Sequence, residues 1–105
     1  GVGSTAHAGR QDFTLINRSG KTITAIYFKA EKGRWGTDRL KGKLLNGKST
    51  KFTFSDKISA RYYTIQIHFE GLNGGRKTWY NIDLFKTSKI TIKSDGKGSY
   101  TATYE

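Results

Sequence analysis

Catalysis by side chains needs a nucleophile with a base beside it, a paired acid and base, or a bound metal, and this sequence is poor in all three. It has no cysteine, which excludes thiolate chemistry and disulfides, and its only histidines are His7 and His68. His7 stands in a patternless leader. His68 alternates onto the polar side of a strand, where a surface role is the simpler one. Glycoside hydrolysis needs two carboxylates about 5–10 Å apart across a cleft. The eight acidic residues are scattered singly and mostly in turns, so no pair stands out. Asp38, Asp83 and Asp95 offer oxygen to a cation such as Ca²⁺, yet none sits in a ligand-dense loop and the surrounding charge opposes a cation. Asp38 is expected instead to staple its own loop, by accepting backbone N–H bonds or by pairing with Arg34 or Arg39. Gly71 to Gly75 falls in a hairpin and not before a helix, so it is no phosphate loop. The chain reads as a non-enzyme without metal or cofactor.

Positive charge is the chemistry it does offer: 19 Lys and Arg against 8 Asp and Glu, formally +11 over 105 residues. Such a balance suits a polyanion partner, whether an acidic glycan, an anionic cell surface or nucleic acid. It also suits a surface that keeps exposed strand edges apart. The charge is densest from Lys29 to Lys51, where Lys29, Lys32, Arg34, Arg39, Lys41, Lys43, Lys48 and Lys51 face only Glu31 and Asp38. Lys41 and Lys43 are expected to project from one side of a short strand, with Lys51 alongside if Asn46-Gly47 turns a hairpin. Neighbouring like charges repel unless an anion relieves them. The expected ligand-binding residues are therefore Lys41, Lys43, Lys48 and Lys51, with Arg34 and Trp35 at the margin. No nucleic-acid fold motif accompanies them, so sequence-specific reading of DNA or RNA is not expected.

The aromatic residues supply two other readings. Trp35 beside Arg34 resembles an interface anchor, which would make the chain a protein-interaction or inhibitor domain docking through that loop. A neutral carbohydrate-binding module would use Tyr62, Gln66, His68 and Trp79. Trp79 belongs on the outer face if Tyr80, Ile82 and Leu84 face the core, and there it could stack on a sugar. Alternatively, Trp35 folds over Trp79 and the two close one end of the domain.

The elements that must position these residues are strands. Phe13 to Asn17 is short and apolar and ends in an Asn17-Arg18-Ser19-Gly20 turn. Lys21 to Ala30 sets Ile23, Ala25 and Tyr27 against Thr24, Ile26 and Phe28, apolar enough on both faces for a central strand. Lys41 to Leu45 is weak. Ser49 to Phe54 alternates, and Tyr62 to Phe69 puts Tyr63, Ile65, Ile67 and Phe69 on one face. Asn73-Gly74 supplies a hairpin turn into Lys77 to Leu84. Lys89 to Lys93 and Ser99 to Tyr104 complete the chain, and Lys57 to Arg61 forms one helical turn at most. The pattern predicts an all-β antiparallel sandwich of seven or eight strands with Ig-like or Greek-key connections, a small closed barrel being the alternative.

No apolar run approaches the ~20 residues of a membrane span. Residues 1–10 read as a leader outside the fold, either disordered or the remnant of a signal peptide, since Ala6-His7-Ala8 has the form of a cleavage site. Residues 11–105 read as one domain.

Two clusters carry a resemblance. Asp12-Phe13-Thr14-Leu15-Ile16-Asn17-Arg18-Ser19-Gly20 with Ile23 is followed by Trp35-Gly36-Thr37-Asp38-Arg39-Leu40, and later by Trp79, Ile82-Asp83-Leu84 and Ser88-Lys89-Ile90-Thr91-Ile92. Together they resemble a family of small bacterial exported β-sandwich domains of uncharacterised function that carry a Trp-Gly-x-Asp-x-Leu loop. The resemblance implies bacterial origin and a secreted or periplasmic location. It implies no ligand, because this chain departs from the family's usual composition toward lysine and away from proline.

Overall fold

A computed structural model describes residues 9–71 and 75–105. The leader around His7 and the Asn73-Gly74 turn lie outside the described residues. Seven strands form two packed sheets: β1 (Phe13–Arg18), β2 (Ile23–Ala30), β3 (Ser49–Phe52), β4 (Tyr62–Phe69), β5 (Arg76–Asp83), β6 (Lys89–Ser94) and β7 (Tyr100–Tyr104). Sheet A has the order β3-β1-β6-β7 and sheet B the order β2-β4-β5, neither closed into a barrel. Inward residues of both sheets make one core, with Phe13, Phe28, Phe52, Phe54 and Tyr63 at one end and Ile67, Ile82, Ile90 and Ile92 among the rest. Burial of this apolar surface is the main force holding the sheets together.

Four features depart from the sequence reading. The strand pairs are antiparallel except β1 with β6, which run parallel. A parallel pair needs a long crossover between its strands, and here all of β2 to β5 supplies it. Second, β2 is an edge strand and β4 the central one. The apolar richness of β2 has another cause: residues 35–44 run along its free edge. Gly36 N–H donates to the Phe28 carbonyl and Arg39 N–H to that of Ile26, while Ile23 and Leu44 exchange both bonds. Third, residues 41–45 are not a strand apart from that bridge at Leu44. The Asn46-Gly47 turn makes no hairpin, because Leu44 pairs with sheet B and Ser49 with sheet A, so the turn carries the chain across the sandwich. Fourth, the folded domain begins before residue 11. Gly9 is buried where a Cβ would run into the Phe54 carbonyl, and the Arg10 guanidinium lies 3.9 Å from the Phe85 ring centroid.

Two bulges change which side chains face the core. On β2 the register shifts between Ile23 and Ala25, which brings Ile23 inward with Ile26 and Phe28 and leaves Ala25 and Tyr27 on the other face. On β5 Trp79 pairs with Ile65 and Ile82 with Tyr63, so Tyr80 and Asn81 together oppose Thr64. Asn81 takes a positive φ of 56°, a conformation that asparagine tolerates better than most residues. The extra residue reverses the alternation beyond it, so Trp79 and Ile82 both pack against the core and Tyr80, 74 % exposed, points out. The outward placement of Trp79 expected from simple alternation is thereby overturned. The tryptophans do not close one end together either: Trp35 pairs with Lys29 beyond the β2 edge, with β4 between that edge and Trp79.

Asn17 fastens the crossing. Its side chain is 0 % exposed. Nδ2 donates to the carbonyls of Lys21 and Leu44, and Oδ1 accepts from the Ser19 N–H and hydroxyl. Its backbone donates to Lys48 O and accepts from Gly47 N–H.

Asn17→Ala takes the acceptor from the Ser19 N–H and one of two donors from each of the Lys21 and Leu44 carbonyls, which keep Ser19 Oγ and Ile23 N–H, so it should cost roughly 2 kcal/mol, read as a lower urea midpoint with an unchanged m-value. The β5 bulge is tested by contrast: Trp79→Ala should cost about 3 kcal/mol through the cavity it leaves, while Tyr80→Ala should stay within about 0.5 kcal/mol. Equal effects would refute the bulged register.

Candidate functional site

The segment from 31 to 48 closes the sandwich between the β2 and β3 edges, and it carries most of the expected site. Asp38 holds it in place: its Oδ1 accepts from Ile26 N–H at 3.0 Å and from Leu40 N–H at 2.9 Å. The stapling role expected of Asp38 is thus met through backbone bonds, and neither Arg34 nor Arg39 forms an ion pair with it. Arg39 reaches the other way. Its Nη2 donates to the Thr53 carbonyl at 2.9 Å, and the guanidinium lies 5.2 Å from the centroids of both Phe28 and Phe54. There it lids the aromatic end of the core by cation–π contact.

Below Arg39 lies an open depression of about 540 Å³ between the 39–44 segment and β3. Arg39, Lys41, Lys43 and Lys51 line it, together with Ser49, Thr50 and Thr53. Lys41, Lys43 and Lys51 therefore meet, across the two sheets and without the expected hairpin. Lys43 is partly neutralised by Glu70, 2.8 Å away, with both side chains more than half exposed. The structure leaves Lys48 outside this lining: it stands in the crossing turn, where its carbonyl accepts from Asn17. Arg34 and Trp35 are outside it too. Both are exposed, Trp35 by 46 %, at the tip of the same loop. Arg39 lies in the basic stretch, but nothing in its spacing distinguishes it there, because only the loop's path along β2 brings it to the depression.

The acidic residues explain why the basic ones are left free. Six of the eight carboxylates are held by partners of their own. Asp12 accepts from Phe54 N–H, Glu31 from Tyr62 N–H, Asp38 as above, and Asp95 from Lys97 and Ser99 N–H. Backbone donors hold the Asp95 carboxyl below its ordinary range. Only Glu70 and Asp83 neutralise a cation, so the described residues contain two ion pairs, Lys43–Glu70 and Arg61–Asp83. The latter is bidentate at 2.9 and 2.7 Å. The Arg61 hydrogen bonds lower the Asp83 carboxyl and Asp83 raises Arg61 in return, while Lys43 lowers Glu70. Among the described residues no three His, Cys, Asp or Glu gather as metal ligands.

A second group of side chains occupies the outer face of sheet B. Tyr27 lies with its ring centroid 5.0 Å from that of His68. The His68 ring nitrogen Nε2 lies 2.9 Å from Gln66 Oε1, and Gln66 Nε2 donates to the Thr78 hydroxyl. Tyr62 and Tyr80 are exposed on the same face. Of the four residues proposed for sugar binding, Tyr62, Gln66 and His68 share this face, and Trp79 does not. The β5 bulge substitutes Tyr80 for it.

No protein-family profile matches the chain, and no curated protein matches it. A solved structure does: the NMR structure of the protein from Eubacterium rectale superimposes with a TM-score of 0.65 over 99 % of this chain and 94 % of that one, at 17 % identity. Likeness at that identity shows the shared fold.

The Asp83 carboxyl titrates lower in the folded chain than its ordinary value of 3.8, so the pair's contribution is complete above about pH 4 and is lost as pH falls through the lowered value. Tm followed by circular dichroism from pH 7 to 2 should therefore fall below pH 4 less steeply for Asp83→Asn than for the native chain. An unchanged acid slope would show that the pair carries none of the acid sensitivity.

Proposed function

We propose that this chain is a non-catalytic binding module for an anionic polymer or surface, exported from a bacterial cell as its resemblance to small secreted sandwich domains implies. One observation carries the binding: Arg39, Lys41, Lys43 and Lys51 converge on an open depression whose only ion-paired member is Lys43. The acids that would balance them are held by backbone N–H groups elsewhere, so the field over this side of the molecule stays positive. An open, hydroxyl-lined trough suits a chain passing through it better than a small ligand enclosed on all sides. Attraction of this kind draws its free energy from counterions released when cations meet a charged polymer. Trp35 and Arg34, at the loop tip beyond the depression, extend the contact at its margin.

A second reading rests on the exposed face of sheet B, where Tyr62 and Tyr80 offer ring faces beside the Gln66–Thr78 hydrogen bond. That face fits a neutral sugar, held by stacking and hydroxyl bonds and indifferent to salt. Binding of uncharged glycans that quenches tyrosine fluorescence and disappears in Tyr80→Ala would establish it in place of the first reading.

For the polyanion reading, a duplex DNA of arbitrary sequence serves as a probe of known charge spacing. Its log affinity should fall linearly with log salt, and the Lys41→Gln, Lys43→Gln, Lys51→Gln triple variant should show a slope shallower by about 0.9 for each contact removed. Glu70→Gln, which frees Lys43, should bind more tightly than the native chain at low salt. An unchanged slope in the triple variant, or no effect of Glu70→Gln, would move the site elsewhere.

A further inference from the structure

The outer face of sheet A carries a second basic surface. The parallel register sets Thr14 beside Lys89, Ile16 beside Thr91 and Arg18 beside Lys93, and β7 adds Thr103 beside Thr91 and Thr101 beside Lys93. Arg18 and Lys93 are thus direct neighbours on strands about 4.8 Å apart. Both are exposed, and among the described residues neither belongs to an ion pair. Like charges set directly opposite destabilise a sheet. The packing does not require them, since the core contacts of these strands are made by Asn17 and Ile92 on the inward side. With Lys89, Thr91 and Thr103 they rim a depression of about 150 Å³, and Ile16 is its only apolar side chain. Glu105 also lines it, at the Lys89 end, where the two backbones pair.

We infer that this depression receives a phosphate monoester borne on a polysaccharide, an inference that rests on the polyanion reading and names the group recognised. Two neighbouring cations on one rim gain most from a doubly charged oxyanion, because each contact is a charge-assisted hydrogen bond, and a singly charged carboxylate uses them less fully. The Thr91 and Thr103 hydroxyls add neutral donors for the remaining oxygens. Among the described residues the lining has no aromatic ring on which a base could stack, which disfavours single-stranded nucleic acid. It has one isolated isoleucine and no apolar patch, which disfavours a lipid surface. Phosphodiesters, as in duplex nucleic acid, carry one charge per group and do not match the paired cations.

The test compares the native chain, Arg18→Gln/Lys93→Gln, and the Lys41, Lys43 and Lys51 glutamine variant on a phosphomannan hydrolysed so that its phosphates are exposed as monoesters, on polygalacturonate and on uncharged mannan at fixed ionic strength. The native chain should prefer phosphomannan to polygalacturonate by about tenfold. Arg18→Gln/Lys93→Gln should lose that preference while keeping a Tm at or above the native value, since a repulsion has been removed. Retention of the preference by that variant, or its absence from the native chain, overturns the inference. If the native chain binds no polyanion at all, the proposed function falls with it. If binding is lost only in the Lys41, Lys43 and Lys51 variant, the function stands and this site does not.

Discussion

The side chain of Asn17 joins three stretches of backbone that share no regular hydrogen-bonding pattern: the end of β1, the turn into β2, and the segment that leaves sheet B for sheet A. A sandwich whose first three strands alternate between sheets must cross its own open edge twice, and each crossing leaves carbonyls and N–H groups inside without a ladder to satisfy them. An amide is suited to that place because it donates and accepts at once. Asp12 and Gln11 repeat the device at the other end of β1. Asp12 accepts from Phe54 N–H, and Gln11, fully buried, donates to the carbonyls of Ile58 and Ala60. The ends of β1 are thus pinned by polar side chains, and the stretch between them is free to be apolar.

The same accounting distributes charge. Loops that cover strand edges have backbone donors in need of acceptors, and carboxylates are the strongest acceptors the chain possesses. Asp38 along β2, Glu31 at the start of β4 and Asp95 in the β6–β7 turn are taken up in this way. Lysines have no comparable use inside the fold and remain on the surface. The excess of 19 basic over 8 acidic residues is therefore left mostly unpaired on the surface that a partner meets. The loop held by Asp38 is also the loop that presents Arg39, Lys41 and Lys43, so the staple of the fold and the candidate site are one piece of chain.

How the β2 edge is guarded bears on the same surface. An unpaired edge invites another strand, and here residues 35–44 lie along it as an irregular partner. On the opposite side of sheet B the bulge at Tyr80 and Asn81 interrupts the β5 edge. In sheet A the short β3 edge carries Lys51. Edge protection and the proposed polyanion contact therefore draw on the same lysines, and the two uses do not compete.

The sequence alone determined the class of fold. Period-two alternation from Tyr63 to Phe69, glycine-bearing turns at short intervals and the lack of any helical period leave an all-β fold, a sandwich or else a small barrel, and β1, β4, β6 and β7 fall within a residue or so of where alternation puts them; the two open sheets are the sandwich. The stapling role of Asp38 and the density of charge between Lys29 and Lys51 were legible too, because both follow from local chemistry. Tertiary structure decided what alternation cannot carry. Each bulge adds one residue and reverses the phase beyond it, which is why Trp79 is inside and Tyr80 outside although the letters around them look regular. Pairing partners are non-local, so the parallel β1–β6 pair, the edge position of β2 and the absence of a hairpin at Asn46-Gly47 had no signature within any single segment. The candidate site divides the same way. Its residue types were in the sequence, but the meeting of Lys41 and Lys43 from one edge with Lys51 from the other, the pairing of Lys43 with Glu70 and the exclusion of Lys48 depend on how two sheets stack. That is a property of the packed core and not of any segment's local pattern.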